Sequence, residues 1–345
     1  RGVSDDKAPV IAMISAIGQI LRDKKTLPIN IKFLIEGEEE IGSENLPSLL
    51  KEHADLLATN LIIVGDTSHV SKDIPAICSA LRGLTYLEVT ATGPNTDLHS
   101  GTMGGIVPNP IHALATLING FKNHNNQIII PDFYKEVLDI DPKVRDELTN
   151  HPHADLPLKT SLGISTLIPE KGFSPLEALT MRPTLDCNGI FGGYIGKGAK
   201  TVIPSSATAK ISMRLVPNQD PWKIADQCKD YIYQNIPNGI SIEIVDMHHA
   251  KPVQLDTSFP AVKVLKTAME KTYGRAPLCL PEGGSIPIIS ELKDILTPHV
   301  VMMGFRLPDD QIHAPNERYS LDIFEKSMQV MIEFITRLNQ ATMFI

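Results

Sequence analysis

The stretch LIEGEEEIGS, Leu34 to Ser43, puts four carboxylates, Glu36, Glu38, Glu39 and Glu40, within five residues, directly after an apolar run. Crowded like charges repel, and burying them is costly unless a counter-charge is present. Other residues of suitable chemistry fall in comparable places. Asp66 ends the apolar run NLIIVGD, His313 lies in the loop DDQIHAPNE after HVVMMGF, and Asp5 and Asp6 precede the first helical pattern. Carboxylates and imidazoles gathered in this way suit a pair of zinc, manganese or cobalt ions about 3.5–4 Å apart. A further carboxylate, not bound to metal, can then serve as general base on an activated water. Each segment also has a plainer reading: GEEE as a solvated loop or helix start, SDDK as a helix cap, a lone Asp after a strand as a turn residue. Residue pattern alone leaves both readings open.

The elements around these residues favour convergence. APVIAMISAIGQILRD has apolar residues at helical spacing and predicts a helix over about Pro9–Arg22. INIKFLIEG predicts a strand with Ile31, Phe33 and Ile35 on one face, NLPSLLKEHADLL a helix, and NLIIVGD a second strand. Strands alternating with helices imply a mainly parallel sheet covered on both faces, and sites in such sheets form beyond the carboxyl ends of the strands. The character changes near Ser79. LTYLEVTATG and ATAKISMRLVP alternate like half-solvated strands, helices are predicted at IVPNPIHALATLINGF and WKIADQCKDYIYQNI, and a Pro-rich irregular stretch runs from Pro131 to Pro183. From about Thr257 the first style returns, ending in a helix from Ser320 to about Asn339. The pattern is an α/β domain interrupted by an inserted α+β domain.

Bulk properties bound the function. A length of 345 residues suggests two domains, and 42% hydrophobic with 21% charged residues is ordinary for a globular protein. The net charge of -8, mixed along the chain, argues against nucleic acid as partner. No apolar run is long enough to predict a membrane span. The four cysteines form no Cys-x-x-Cys pair, which argues against a thiolate metal knuckle and fits a reducing, cytoplasmic setting.

Taken in order, RGVSDDKAP, EGEEEIGS, VGDT, DLHSGTMGG, TVIPSSATAKISMRLVP, PEGGSIP and IHAPNE span nearly the whole chain. The set resembles the M20 family of dinuclear metallopeptidases, nearest the cytosolic non-specific dipeptidase and carnosinase branch. The resemblance implies a di-metal catalytic domain over residues 1–78 and 253–345, with an inserted lid and dimerisation domain over 79–252. It implies that Asp5 bridges two divalent ions, probable zinc sites that also accept manganese or cobalt, and that a cis peptide follows it. Glu40 and His313 would complete one ion's ligands, Asp66 would hold the other, and Glu39 would be the general base acting on a metal-bridging hydroxide. His99 would reach the partner subunit's site and stabilise the oxyanion, which makes a homodimer the expected assembly. Arg214 would grip the substrate carboxylate, Thr201 and His248 would touch substrate, and Gly283, Gly284 and Ser285 would form a carboxylate-binding turn.

The family pattern also has a His-x-Asp element ahead of the DDK segment, a place that lies before Arg1. A chain truly starting at Arg1 is expected to lack one metal ligand, to bind metal poorly and to expose apolar sheet surface. Three functions follow in order: a dipeptidase, an N-acyl amino acid deacylase or desuccinylase of the same family, and a non-catalytic dimeric binding protein. The expected substrate is a small peptide or N-acyl amino acid.

Overall fold

The computed structural model describes residues 2–149, 159 and 162–338. They divide into two compact units, one formed by Arg1–Leu81 with Val253–Ile345 and the other by Arg82–Pro252. The chain starts the first unit with the helix Ala8–Lys24, then the helices Leu46–Glu52 and Ala54–Leu57 and the strands β1 (Ile62–Ser68) and β2 (Ala76–Leu81). The second unit holds β3 (Gly83–Thr92), β4 (Leu98–His99), β5 (Thr184–Gly192), β6 (Val202–Ile203), β7 (Ser206–Leu215) and β8 (Ser241–Ala250). The chain then returns to the first unit with β9 (Val253–Gln254), β10 (Leu278–Glu282) and β11 (Val300–Arg306).

In the first unit the sheet order is β1-β11-β2-β10, with β9 beside β2. β1 pairs β11 in parallel and β2 pairs β10 in parallel; the two pairs meet through a short antiparallel contact of β11 with β2. Every residue of β11 is buried, as expected of a central strand covered on both faces. Its side chains alternate between two cores. Val301, Met303 and Phe305 join Ala16, Ile17 and Ile20 and the helices Pro260–Tyr273 and Leu321–Arg337. Val300 and Met302 join Leu46 and Leu50 and the helix Ile288–Ile295. Each fully buried side chain of this kind contributes roughly 1.5–3 kcal/mol of transfer free energy. Gly304 lets β1 close on β11: a Cβ there would lie 2.7 Å from the Ser68 backbone.

The predicted strand INIKFLIEG does not form. Residues 30–36 have no regular structure. Leu27, Ile29 and Ile31 pack against the core, but Phe33 is 47% and Ile35 61% exposed. An apolar alternation becomes a strand only when another strand supplies the hydrogen-bond ladder, and among the described residues none pairs with this segment. The last helix ends at Arg337; the predicted end at Asn339 lies outside the described residues.

The second unit is an antiparallel sheet of order β5-β7-β3-β8. Leu87, Val89, Ile211 and Met213 face the helices Pro110–Gly120 and Pro221–Gln234, which bury Leu114, Leu117, Cys228 and Ile232 against them. Both helices start with Pro in the first turn and a capping side chain, Asn109 and Asp220. The Pro-rich stretch is not wholly irregular: helices form at Pro142–Thr149 and Pro175–Thr180, the latter behind a Ser174–Glu177 capping box. Among the described residues no helix is long and apolar enough to cross a membrane.

Candidate metal centre

Parallel pairing of β1 with β11 brings Asp66, near the end of β1, beside Arg306, the last residue of β11. The chain then turns through 307–317, the loop that carries His313. This loop also fixes the segment that carries Asp5. Glu317 accepts hydrogen bonds from the backbone N–H of Gly2 at 2.5 Å, Ser4 at 2.9 Å and Asp5 at 3.0 Å. Asp310 accepts from Ser4 Oγ at 2.8 Å and from Leu307 N at 2.9 Å, so one carboxylate ties both segments together. Burial works against the charge on Glu317, but the three backbone donors prevail and hold its pKa below the ordinary value. The Asp5–Asp6 peptide is cis, as the resemblance implies.

The acidic run sorts its own members. Ser43 Oγ donates to Glu36 at 2.9 Å, and Asn45 Nδ2 donates to Glu38 at 2.9 Å. Those two acids brace the turn Glu39–Ile41, which closes on Gly42 in the left-handed region at φ 93°. Glu39 and Glu40 are thereby presented to the centre. His313 Nε2 lies 2.8 Å from Asp5 Oδ2 and 3.1 Å from Glu40 Oε2. One ligand atom from each of Asp5, Glu40 and His313 lies within 4.8 Å of the others. Four-coordinate zinc with bonds near 2.0–2.1 Å needs donor atoms about 3.3 Å apart, so small adjustments admit an ion. Two carboxylates and an imidazole are a donor set that suits zinc, manganese or cobalt.

Asp5 faces the other way through its second oxygen. Arg306 Nη1 donates to Asp5 Oδ1 at 2.6 Å and lies 2.8 Å from Asp66 Oδ1, while Nη2 donates to the Asp66 carbonyl at 3.1 Å. The approach to Asp66 Oδ1 is close but off the hydrogen-bond line, and among the described residues that buried oxygen has no directed partner; neither does Asp6 Oδ1. Buried carboxylate oxygens without donors fit a cation.

The electrostatics say the same. Burial pushes Asp6 up to about 8, with Asp66, Asp5 and Glu39 adding to the rise and Arg306 opposing it. Burial likewise pushes Asp66 up to about 7, against the pull of Arg306. Burial, then Glu40, Asp5 and Glu36, raise Glu39 above its ordinary value. Burial disfavours the Arg306 charge, but Asp66, Asp5, Glu282 and Asp6 outweigh it. The centre thus holds more negative charge than its own cations balance. Gly283 and Gly284 form the bend after β10 and Ser285 follows them, directly after Glu282, which acts on both Asp66 and Arg306.

The second unit arranges its own residues. β4 and β6 pair, and His99 Nε2 lies 3.2 Å from Thr201 Oγ1. His99 Nδ1 accepts from Gly101 N at 3.0 Å, which puts the proton of a neutral ring on Nε2. Arg214 lies opposite Leu84 in the β7–β3 register, and His248 opposite Tyr86 in the β3–β8 register. Tyr86 and His248 meet edge to face with ring centroids 6.5 Å apart. Tyr86, Arg214 and His248 share the sheet face turned away from the Leu87–Met213 core. Burial lowers the pKa of Arg214.

Sequence reasoning missed Arg306, Asp310, Glu317 and Tyr86, and it placed Asp6 beside Asp5 without giving it a role. Asp310 and Glu317 flank His313 within DDQIHAPNE, so their closeness in sequence to that candidate ligand was the available signal. Arg306 carried none, standing at the end of an apolar run.

The family model for peptidase family M20/M25/M40 matches residues 1–337. The chain is 30% identical over 343 residues to the Cys-Gly metallodipeptidase dug1 of Schizosaccharomyces pombe, covering 98% of this chain and 72% of that protein. It is 29% identical over 352 residues to the human Beta-Ala-His dipeptidase, covering 99% and 68%. Among solved structures it is similar to the di-peptidase Dug1p from Saccharomyces cerevisiae, with a TM-score of 0.82 at 27% identity over 97% of this chain and 71% of that one. The M20 family metallo-carboxypeptidase Sso-CP2 from Sulfolobus solfataricus gives a TM-score of 0.84 at 30% identity over 97% and 76%. With family-wide coverage added to the centre's geometry, this chain belongs to peptidase family M20/M25/M40, the metal-dependent peptidases.

Proposed function

We propose that the protein hydrolyses dipeptides at the centre built on Asp5, Glu39, Glu40, Asp66 and His313. The convergence of Asp5, Glu40 and His313, with Glu39 next in the chain to Glu40, carries this reading. The activities named for its relatives, Cys-Gly metallodipeptidase and Beta-Ala-His dipeptidase, support dipeptides as the substrate class. Two divalent ions, zinc in the first instance, would be held by Asp5 with Glu40 and His313 and by Asp5 with Asp66. When bound, such ions supply Lewis acidity toward the scissile carbonyl and make water acidic enough to lose a proton near neutral pH.

The chain's own residues do the rest. Glu39 accepts the proton of the attacking water and returns it to the leaving amine. Burial raises its pKa, a direction that suits a group that both takes and gives a proton. Glu317, through the backbone N–H groups of Ser4 and Asp5, and Asp310, through the Ser4 hydroxyl, keep Asp5 in place. In the inserted unit, His99 Nε2–H, which faces Thr201 Oγ1 in this structure, is the proposed oxyanion donor, contributed by a second copy of the chain. The fork of Arg214 suits a substrate carboxylate. His248 and the turn Gly283, Gly284 and Ser285 are further proposed contacts to substrate, and the inserted unit is the proposed dimerisation surface. A panel of dipeptides, N-acetyl amino acids and N-succinyl amino acids tests the substrate class. Faster turnover of dipeptides is expected; preference for the acylated compounds would overturn it.

A further inference from the structure

Asp5 divides its two oxygens between two unlike neighbours. Oδ2 faces His313 and Glu40, where the nearby nitrogen is an imidazole that binds metal when neutral. Oδ1 faces Arg306, whose guanidinium is permanently charged and lies between Asp5 and Asp66. An ion shared by Asp5 Oδ1 and Asp66 Oδ1 competes with Nη1, which approaches them at 2.6 and 2.8 Å, and meets the repulsion of a fixed positive charge.

The hold of Arg306 is incomplete. Nη1 makes a directed bond to Asp5 Oδ1 and Nη2 one to the Asp66 carbonyl, but among the described residues the buried Nε has no acceptor and Asp66 Oδ1 no directed donor. The guanidinium therefore balances charge here more than it satisfies hydrogen bonds. Four acids, Asp66, Asp5, Glu282 and Asp6, surround it, more than one positive charge can neutralise. A divalent ion would meet that demand better, provided the arginine yields its place.

We propose that Arg306 competes with one of the two divalent ions, so that the ion at Asp5, Glu40 and His313 binds first and tightly, and the ion at Asp5 and Asp66 binds weakly, by displacing the guanidinium. The inference rests on the metal-centre reading above and adds an order of loading set by this one side chain. Arg306 is then a positioning residue whose guanidinium bridges Asp5 and Asp66 until metal enters.

Calorimetric titration of chelator-treated protein with zinc chloride, with bound metal counted by atomic emission, tests it. The parent is expected to bind a second ion at least ten-fold more weakly than the first. Arg306→Gln should tighten the second ion at least ten-fold and change the first less than three-fold. Arg306→Lys keeps the charge but replaces the fork with a point contact, and should tighten the second ion by at least three-fold. That variant also decides the matter if the Gln variant fails to fold. Equal affinities in the parent, or an unchanged second affinity in the folded variants, would overturn the proposal while leaving the metal centre standing. Binding of no ion by parent and variants alike would overturn the centre itself.

Discussion

The imidazole of His313 stands 2.8 Å from the carboxylate of Asp5, across 308 positions of sequence. The contact exists because the loop after β11 and the segment before the first helix are stitched together by Glu317 and Asp310. Replacing His313 with Ala removes one of three donors around a single point. Affinity for zinc should fall roughly 100-fold or more, beyond what loss of an outer-shell partner costs. Equilibrium competition against a chromophoric chelator measures it, and unchanged affinity would show that His313 is not a ligand.

Glu317→Gln should weaken metal binding without touching a ligand. The amide offers one carbonyl oxygen where the carboxylate serves three backbone donors at Gly2, Ser4 and Asp5. Affinity should drop about 10-fold to 100-fold, the usual effect of loosening a ligand's support. The same titration reads it, and a wild-type affinity would mean that Asp5 needs no such support.

The first unit carries an acid-sensitive histidine away from the centre. His69 is buried, its Nδ1 accepts from Ala76 N at 3.1 Å, and its Nε2 is 2.9 Å from the Tyr273 hydroxyl. Burial, helped by Lys326, lowers its pKa to about 3. The folded pKa lies below the unfolded one, so between about pH 6.5 and pH 3 the unfolded chain binds the extra proton and stability falls as pH falls. The loss has a ceiling of about 1.4 kcal/mol per pH unit. Urea unfolding at pH 7 and pH 5 should show a steeper loss in the parent than in His69→Gln. Identical losses would remove His69 from the explanation.

A His99→Ala variant should lose about 100-fold to 1000-fold in kcat, the scale of an oxyanion donor, with metal content unchanged. If His99 acts on the second copy, mixing His99→Ala with Glu39→Gln chains under exchange conditions restores one intact site in each mixed dimer. Statistical mixing of symmetric dimers then recovers roughly a quarter of parental activity. No recovery in mixed dimers verified by mass spectrometry would contradict action in trans.

Much of this centre could be read from the residues and their order. Asp5, Glu40 and His313 stand in short motifs at the ends of elements, and the three do converge. What could not be read is non-local. The run INIKFLIEG has the alternation of a strand, but pairing depends on a neighbour that its own residues do not encode. β10 was hidden for the opposite reason: Pro281 argues against a strand, yet it sits where the register with β2 shifts, a place that tolerates a missing N–H. Arg306 gave no warning because only the fold shows that a residue ending one strand lies between acids from two other segments. Glu317 serves backbone groups, and Asp310 the Ser4 hydroxyl, some three hundred positions away, and no periodicity marks such service.

The central claim is that Glu39 moves the proton at a centre held by Asp5, Glu40, Asp66 and His313. Glu39→Gln tests it most directly, because the amide keeps the shape and removes the base. Steady-state hydrolysis of a dipeptide should fall by about 100-fold to 10,000-fold in kcat, with bound zinc by atomic emission equal to the parent's. Parental turnover in a metal-loaded Glu39→Gln protein would contradict the claim.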